Sequence, residues 1–406
     1  MSTAVLADFT PSLPVAESAL EIEVVTDLQA AEPTWRELVR NGALCTRYQH
    51  YAWMSAWHEH IGRRSGIEPF IVIGRDALGR AALLWPLGRR RVGPVSVARF
   101  MGGKHANFNL AIWRRDLVRA GAHATVRSVL DGIRQSPVSA DLLILLNQPF
   151  EWEGQPNPLA VLRHQPSPSL AFRGALSEDF EALLRSRLGQ ETRKKLRQKE
   201  RILAKHGTVS CRRAQSPDQI EAVLAAFFAQ KAERMQELGL TNVFDEPGVR
   251  DFIEAAATHI DPDTGTPAIE LYAAYVELYA AYVGHSIVAT FGGICSAGRF
   301  SGMFNSMTSG PLRGESPGEL LLTNVVRMAC ERGLATFDLG VGEAGYKKSF
   351  CNEAQPLFDA IVSVGMAGAA AAAVFRSQLY AKRAVKASPF LSKALQQVRR
   401  VRAPGG

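Results

Sequence analysis

A short glycine motif near the C-terminal end limits the folds open to this chain. Residues 337–350 read FDLGVGEAGYKKSF, in which Gly340, Gly342 and Gly345 have the spacing of a dinucleotide-binding loop. Such a loop requires a full helix behind it, inside a βαβ unit. Pro356 leaves too little chain for that helix before the next predicted strand. The motif therefore does not predict NAD or FAD binding or a doubly wound parallel sheet.

The order of predicted elements over 208–363 favours a different sheet. A strand is followed by two helices, three strands, a helix and two further strands with a short helix between them. Ser216 is placed to cap the first of these helices, and Pro317 suits the first turn of a later one. We predict an α/β (α+β) fold, with a mixed, mostly antiparallel sheet flanked by helices.

The 406 residues suit two such units. Residues 155–169 are rich in Pro, Ser and Gln and indicate a linker. The predicted organisation is a disordered N-terminus (1–20), an N-terminal domain (21–165), a linker with a basic helix (166–207), a C-terminal domain (208–363) and a basic helical tail (364–406).

The positive charge of the chain lies in two places. Eight basic residues and no acid follow residue 363, so the tail accounts for the whole net charge of +8. A neutral body argues against a general DNA-binding protein, although the tail could contact anionic lipid or RNA. A helix predicted over 177–207 carries a second basic surface, which is either a solvated face or a cradle for an anionic ligand. Its basic residues are Arg193, Lys194, Lys195, Arg197, Lys199, Arg201 and Lys205.

Cysteine usage and the chain start favour the cytoplasm. The five cysteines are scattered and form no CxxC, which predicts neither a disulfide framework nor a metal site. The first 20 residues lack the basic and apolar regions of a signal peptide, and no apolar run reaches the ~20 residues of a membrane span. An apolar stripe over 391–401, beside basic residues, predicts a helix that docks on the protein or lies on the inner face of an anionic membrane.

A tandem repeat interrupts the second domain. The heptapeptide ELYAAYV occurs at 270–276 and again at 277–283. We expect the second copy to pair with the strand that follows, and the first copy to extend or bulge out.

The best phosphate site lies in FNSMTSGPLRGESPG (304–318). Here a predicted strand leads through a loop into a helix that starts near Pro317. The N–H groups of Gly318, Glu319 and Leu320 would point outward at the positive end of the helix dipole, where a pyrophosphate can bind. Many helices with such a start bind nothing, so the pattern alone leaves both readings open.

Three segments resemble one family. ESPGELLL (315–322), FDLGVGEAGYKKSF and the basic ETRKKLRQKERILAKHG (191–207) are similar to the CelD/BcsL-type acetyltransferases, which have the GNAT fold and are associated with cellulose and exopolysaccharide biosynthesis. These enzymes are related to the Fem-type aminoacyl transferases, which pair two GNAT-like domains. The resemblance implies tandem GNAT-like domains, the N-terminal one degenerate.

The resemblance also implies a reaction and its partners. The donor would be acetyl-CoA or another acyl-CoA, with its pyrophosphate held by Ser316, Gly318 and the following amides, and with added charge from Arg313. The acceptor would be an amino sugar, a sugar nucleotide or a related polysaccharide precursor. Two rivals remain: a Fem-like transferase that uses aminoacyl-tRNA, and a non-catalytic GNAT-fold protein that assists a polysaccharide synthase.

Acyl transfer also needs a base for the acceptor and a proton for the departing thiolate. Glu343 is the predicted base, and Asp338 is either an alternative base or a cap for the loop backbone. Tyr346 resembles the leaving-group acid of GNAT enzymes, or packs beneath the site. Lys347 would neutralise a phosphate.

Further polar residues are assigned to the acceptor. Asn305 and Ser306 are predicted to line its channel, and Arg193 and Arg197 to anchor it.

Overall fold

The computed structural model describes residues 20–119, 122–278, 285–296, 298–342 and 345–387. Its strands, in chain order, are β1 (Glu21–Val25), β2 (Glu68–Arg75), β3 (Ala81–Val92), β4 (Val95–Phe100), β5 (Ile112–Trp113), β6 (Leu142–Pro149), β7 (Glu151–Trp152), β8 (Gln155–Pro156), β9 (His164–Pro166), β10 (Ala171–Ala175), β11 (Gly207–Arg213), β12 (Ile260–Asp261), β13 (Thr266–Pro267), β14 (Glu270–Leu278), β15 (His285–Ser296), β16 (Arg299–Met307), β17 (Thr336–Val341), β18 (Glu353–Gln355) and β19 (Leu357–Ser363). Its α-helices are α1 (Leu28–Arg40), α2 (Tyr51–Trp57), α3 (Arg115–Arg119), α4 (Ala122–Gln135), α5 (Phe180–Arg187), α6 (Gln190–Leu203), α7 (Pro217–Glu237), α8 (Val249–Thr258), α9 (Pro317–Glu331) and α10 (Met366–Ala387).

Two sheets repeat one pairing pattern. The first has the order β1-β2-β3-β4-β6-β19-β9, with β5 beside β3, and the second has the order β11-β14-β15-β16-β17-β10-β18. In each sheet the fourth and fifth strands pair in parallel and the other neighbours pair antiparallel. Each half also places two helices between its first and second strands and a long helix between the two parallel strands. The predicted mixed, mostly antiparallel sheets flanked by helices are confirmed.

The sixth strand of each sheet comes from the other half of the chain. β10 lies between β17 and β18 in the second sheet, although it lies within the segment predicted as linker and basic helix. Reciprocally, β19 lies between β6 and β9 in the first sheet, although the sequence prediction groups it with the second half. The sheet that each strand joins is set by partners distant in sequence, so the sequences of these two strands carry no signal for it. The stretch 155–169 is likewise not a free linker, because β8 and β9 lie within it.

The halves share one core. Trp53 of α2 meets Phe252 of α8 edge to face at 5.1 Å, and both rings are buried. Arg36 of α1 donates to Asp261 at 2.9 Å and to Asp263 at 2.5 Å. Apolar burial and buried ion pairs therefore hold the second half against the first.

The helix predicted over 177–207 is two helices. Asp179 caps α5, because its side chain accepts from the Ala182 N–H, and this helix therefore begins at Phe180 and not at residue 177. The chain turns at Gly189, where α6 begins, and Gly207 is already in β11. Glycine is unfavourable inside a helix, so the chain breaks at Gly189 although the sequence on either side of it is helical.

The repeated heptapeptide pairs differently from the prediction. The first copy forms most of β14 and runs antiparallel to β15, from Glu270 opposite Gly293 to Val276 opposite Ser286. The first copy thus takes most of the pairing predicted for the second copy, and it contains a bulge between Ala274 and Tyr275. Residues 279–283 of the second copy lie outside the described residues.

The described part of the tail docks on the first sheet. Ala372 of α10 is buried, and Arg376 donates to the Ile361 carbonyl at 2.7 Å. The predicted disordered residues 1–19 and the apolar stripe over 391–401 lie outside the described residues, so disorder and membrane contact stay predictions. No helix in the described ranges is long and apolar enough to cross a membrane.

Candidate active site

Two parallel strands separate to form a wedge in the second sheet. β16 and β17 share only three ladder positions, the last of which sets Ser301 opposite Asp338. Beyond that point β16 continues to pair with β15 on its other side, up to Met307. The edge of β16 that faces β17 therefore offers backbone groups that no strand occupies.

Asp338 locks the closed end of this wedge. Its carboxylate is fully buried and accepts from Arg299 Nε at 2.6 Å, from the Ser301 hydroxyl and from the Gly340 N–H at 2.9 Å. Arg299 in turn lies over the Trp152 ring at 4.1 Å. With its oxygens thus occupied and no exposure to solvent, Asp338 fits the backbone-capping interpretation and not that of a base.

Asn107, from the first half, inserts between the separated strands. Its Nδ2 donates to the Gly302 carbonyl of β16 at 3.0 Å and to the Tyr48 hydroxyl at 2.8 Å. A Cβ added to Gly340 of β17 would collide with this amide, and Gly340 has a φ of 66°. Glycine is therefore required there both by the backbone and by a neighbour from the other half.

The N-terminus of α9 opens onto a cavity of about 530 Å³. We call it the helix-tip cavity; among the residues that line it are Lys231, Arg234, Asn305, Ser306, Arg313, Ser316, Gly318 and Glu319. Six of these are residues that the sequence predicts for the donor or the acceptor, and the fold brings them together. The helix tip is thus exposed to a cleft, as an anion site requires.

The amides at this tip are only partly free. The Glu319 and Leu320 N–H groups are directed to the Ser316 carbonyl, at 2.9 and 3.4 Å, and Leu320 is buried and does not line the cavity. Among the described residues no acceptor is found for the Gly318 N–H. The prediction of three outward amides is therefore corrected to one, because the Ser316 carbonyl accepts from the other two.

Charged side chains surround the helix tip. Arg234 and Arg313 both donate to Glu237, at 2.8 and 2.9 Å. Lys199 of α6 bridges the Ser316 hydroxyl at 3.1 Å and the Glu319 carboxylate at 2.8 Å. The basic helix therefore touches the site through Lys199, whereas Arg193 and Arg197 are absent from the linings of the helix-tip and wedge cavities.

A second cavity of about 250 Å³ occupies the wedge. This wedge cavity shares Lys231 and Asn305 with the helix-tip cavity and reaches Lys347 at its far side. Lys347 is buried and donates to the Gly340 and Val341 carbonyls at 3.3 and 3.2 Å, and burial lowers its pKa. The two cavities therefore adjoin at Lys231 and Asn305, between the helix tip and the loop after β17.

Lys231 stands where the two cavities meet. Burial lowers the pKa of this lysine, and the positive charge of Arg234 lowers it further. Its Nζ lies 5.8 Å from the centre of the Phe244 ring, and no carboxylate of the described residues pairs with it. The side chain of Asn305 likewise has no hydrogen-bond partner in the described ranges, so both groups are available to a ligand.

Ser306 has a structural role. Its hydroxyl donates to Gln230 Oε1 at 2.7 Å and lies 2.6 Å from the Thr290 hydroxyl. This network joins α7 to β15 and β16 beneath the cavity, so Ser306 shapes the wall of the acceptor channel predicted for it.

Some predicted residues cannot be placed. Glu343, the predicted base, lies outside the described residues, as does the side chain of Tyr346. The Gly345–Ser349 segment is a short 3-10 helix, which agrees with the rejection of a dinucleotide fold. Among the described residues no cluster of three or more His, Cys, Asp or Glu side chains could hold a metal ion.

The sequence reasoning missed four contributors to the site: Asn107, Lys199 as a site residue, Lys231 and Arg234. Lys231 and Arg234 were detectable in principle, because they break the apolar pattern of α7 close to Gln230. Asn107 carried no signal, since its contacts are with residues roughly 60 to 200 positions away.

Comparison with known proteins agrees with this geometry. The family model of the acetyltransferase (GNAT) domain matches residues 190–348. Among solved structures the chain is similar to FemX, with a TM-score of 0.58 and 10% identity over 84% of this chain and 97% of that chain. It is also similar to a conserved protein of unknown function from Bacteroides thetaiotaomicron, with a TM-score of 0.50 and 12% identity over 84% and 100%. The C-terminal domain of a putative lysylphosphatidylglycerol synthetase from Agrobacterium fabrum gives a TM-score of 0.48 and 10% identity over 87% and 97%. No curated protein matches the chain.

The family match assigns residues 190–348, fewer than half of the 406 residues, to the acetyltransferase (GNAT) domain. At such low identities the structural likeness shows the fold alone. The narrower resemblance to CelD/BcsL-type enzymes is not established by these matches.

Proposed function

We propose that the protein is an acyl-CoA-dependent N-acyltransferase. The observation that supports this proposal is the α9 N-terminus, which opens onto a cavity lined by Arg234 and Arg313. This cavity adjoins the wedge cavity at Lys231 and Asn305. The Gly318 N–H, the helix dipole and the two guanidinium groups would bind the donor pyrophosphate. The edge of β16 that pairs with no strand, beyond the Gly302 carbonyl that Asn107 occupies, would hydrogen-bond the amides of the pantetheine arm.

Transfer would take place in the wedge cavity. The acceptor amine attacks the thioester carbonyl, a C–N bond forms, the C–S bond breaks, and the thiolate takes up a proton. Asn305 and Lys231 line both cavities, and both would donate to the carbonyl oxygen as it develops negative charge. Glu343 as base and Tyr346 as acid remain proposals from the resemblance, and Lys347 donates to the Gly340 and Val341 carbonyls at the end of β17.

The acceptor is proposed to be an amino sugar, a sugar nucleotide or a related polysaccharide precursor. This part rests on the resemblance to CelD/BcsL-type enzymes, and a cytoplasmic location is proposed with it.

A second candidate is a transferase that uses aminoacyl-tRNA. The exposed side chains of Lys194, Lys195, Arg197 and Arg201 form a basic face on α6, and Lys199 joins that helix to the α9 tip. A polyanionic donor could bind along this face.

Calorimetric titration of the protein with CoA, and separately with tRNA, tests the donor. We expect CoA to bind, and Arg313→Ala to weaken its binding about tenfold, as for the loss of a charge-assisted hydrogen bond. Arg63→Ala is the control, because Arg63 forms an exposed ion pair with Glu59 far from α9 in sequence. Binding of tRNA without binding of CoA would replace the proposal with the second candidate.

Thiol release with a panel of amino sugars tests turnover. A protein that binds CoA and releases no thiol with any acceptor would favour the third reading, a non-catalytic partner of a synthase.

A further inference from the structure

A third cavity lies beyond the wedge, where the two halves of the protein meet. It has a volume of about 160 Å³, and we call it the interface chamber. Its wall combines the Gly103–His105 turn of the first half with α8, β16 and the Val243–Asp245 turn of the second half. No predicted site residue is in its lining, and the transfer step does not use it.

The chamber is apolar. Its lining includes Phe244, Val249, Phe252, Ile253, Met303 and Phe304. The polar side chains at its wall are already engaged: Lys104 pairs with Glu246, and Trp57 Nε1 donates to His105 Nδ1 at 3.1 Å. A ligand in this chamber would therefore gain contact with hydrocarbon and little hydrogen bonding.

The interface chamber adjoins the wedge cavity. It shares Asn107, Phe244, Met303 and Phe304 with the wedge cavity, which in turn meets the helix-tip cavity at Lys231 and Asn305. A molecule with phosphates at the α9 tip and a thioester in the wedge would thus direct what lies beyond its carbonyl carbon toward the chamber. A polar sugar would have no partner there, whereas an alkyl chain would fit.

We propose that the interface chamber binds the alkyl tail of the donor acyl group, and that this group is longer than acetyl. The inference rests on the proposed function, because it requires an acyl-CoA donor. Residues from both halves of the protein would then limit the length of the acyl chain, with Phe252 and Phe304 of the second half among the walls of the chamber.

Donor binding measures this without knowledge of the acceptor. The full chain is titrated calorimetrically with CoA, acetyl-CoA, butyryl-CoA, hexanoyl-CoA and octanoyl-CoA. Each methylene that enters the chamber should strengthen binding about fourfold, until the chamber is full. CoA itself reports the phosphate site and serves as the internal reference.

A matched pair of variants locates the effect. Val243→Trp should fill the chamber from its rim, where Val243 is 49% exposed and a larger side chain need not disturb the core. Leu240→Trp is the control, since Leu240 is 46% exposed in the same segment and is absent from the lining. We expect Val243→Trp to abolish the increase in acyl-CoA affinity with chain length and to leave CoA binding unchanged. Leu240→Trp should behave as the wild type.

The outcomes separate the two claims. CoA binding with equal affinity for every acyl chain would overturn the inference and leave the proposed function intact. Absence of CoA binding would overturn the proposed function. If Val243→Trp does not fold, the wild-type chain-length series alone decides.

Discussion

Arg299 donates its Nε–H at 2.6 Å to Asp338, which lies opposite Ser301 at the last position where β16 and β17 are joined. The pair is buried, and the guanidinium also stacks on Trp152 of the first half. Pairing between the strands stops at this point and the wedge begins. The ion pair therefore fixes where the candidate active site opens.

Replacement of Asp338 by Asn should destabilise the protein by about 3 kcal/mol, because it leaves the Arg299 charge buried without its partner. Urea unfolding followed by tryptophan fluorescence measures the change. Asp131→Asn, at a half-exposed ion pair with Arg134, should cost less than about 0.5 kcal/mol. Unchanged stability together with lost turnover would instead restore Asp338 as a catalytic base.

A comparison of alanine substitutions at Gly340 and Gly342 separates backbone strain from steric collision of the added Cβ. Both have positive φ, but a Cβ at Gly340 would meet Asn107, whereas a Cβ at Gly342 would meet nothing within 4 Å. Gly342→Ala should cost about 1 kcal/mol from backbone strain alone, and Gly340→Ala about 3 kcal/mol. In an Asn107→Ala background the cost of Gly340→Ala should fall to that of Gly342→Ala; if it does not, the insertion of Asn107 is not the reason for this glycine.

The carboxylate of Glu319 lies at the proposed anion site, held by Lys199 at 2.8 Å. Glu319→Gln should tighten CoA binding about three- to tenfold, because it removes a like charge and frees Lys199 for phosphate. The gain should shrink in 1 M salt. Glu331→Gln, at the other end of the same helix, is the control. Weaker CoA binding in Glu319→Gln would show that the carboxylate supports the donor site.

His105 predicts sensitivity to acid. Burial, and then the charge of Lys104, lowers the pKa of His105 to about 4, against about 6.5 in the unfolded chain. The unfolded state therefore binds the proton more tightly, and stability is lost as the pH falls from about 6.5 to about 4. Unfolding in urea at pH 7.5 and at pH 5 measures the loss of folding free energy between these two pH values. This loss should be about 1–2 kcal/mol smaller in His105→Asn than in the wild type. His123→Asn, at an exposed site, should follow the wild type; a wild-type slope in His105→Asn would assign the acid loss elsewhere.

Local signals in the sequence predicted much of the second half. The cap at Ser216 and the start of α9 at Pro317 each depend on neighbours close in sequence. The fold brings Arg313, Ser316, Gly318, Asn305 and Ser306 to the wall of one cavity, and their roles stay predictions. The parts that failed depend on distant partners: Asn107 in the wedge, Lys199 at the helix tip, and the two strands that join the opposite sheet.

Those two strands, β10 and β19, have a mechanical consequence. A fragment cut between the halves would carry a gap inside its own sheet and a stray segment that belongs to the other, so neither piece should fold by itself. Pulling the halves apart would require unzipping both sheets at once. Any opening of the cleft during turnover must then come from loops and helix ends such as those around Ser316 and Val243. The two sheets stay joined by their exchanged strands.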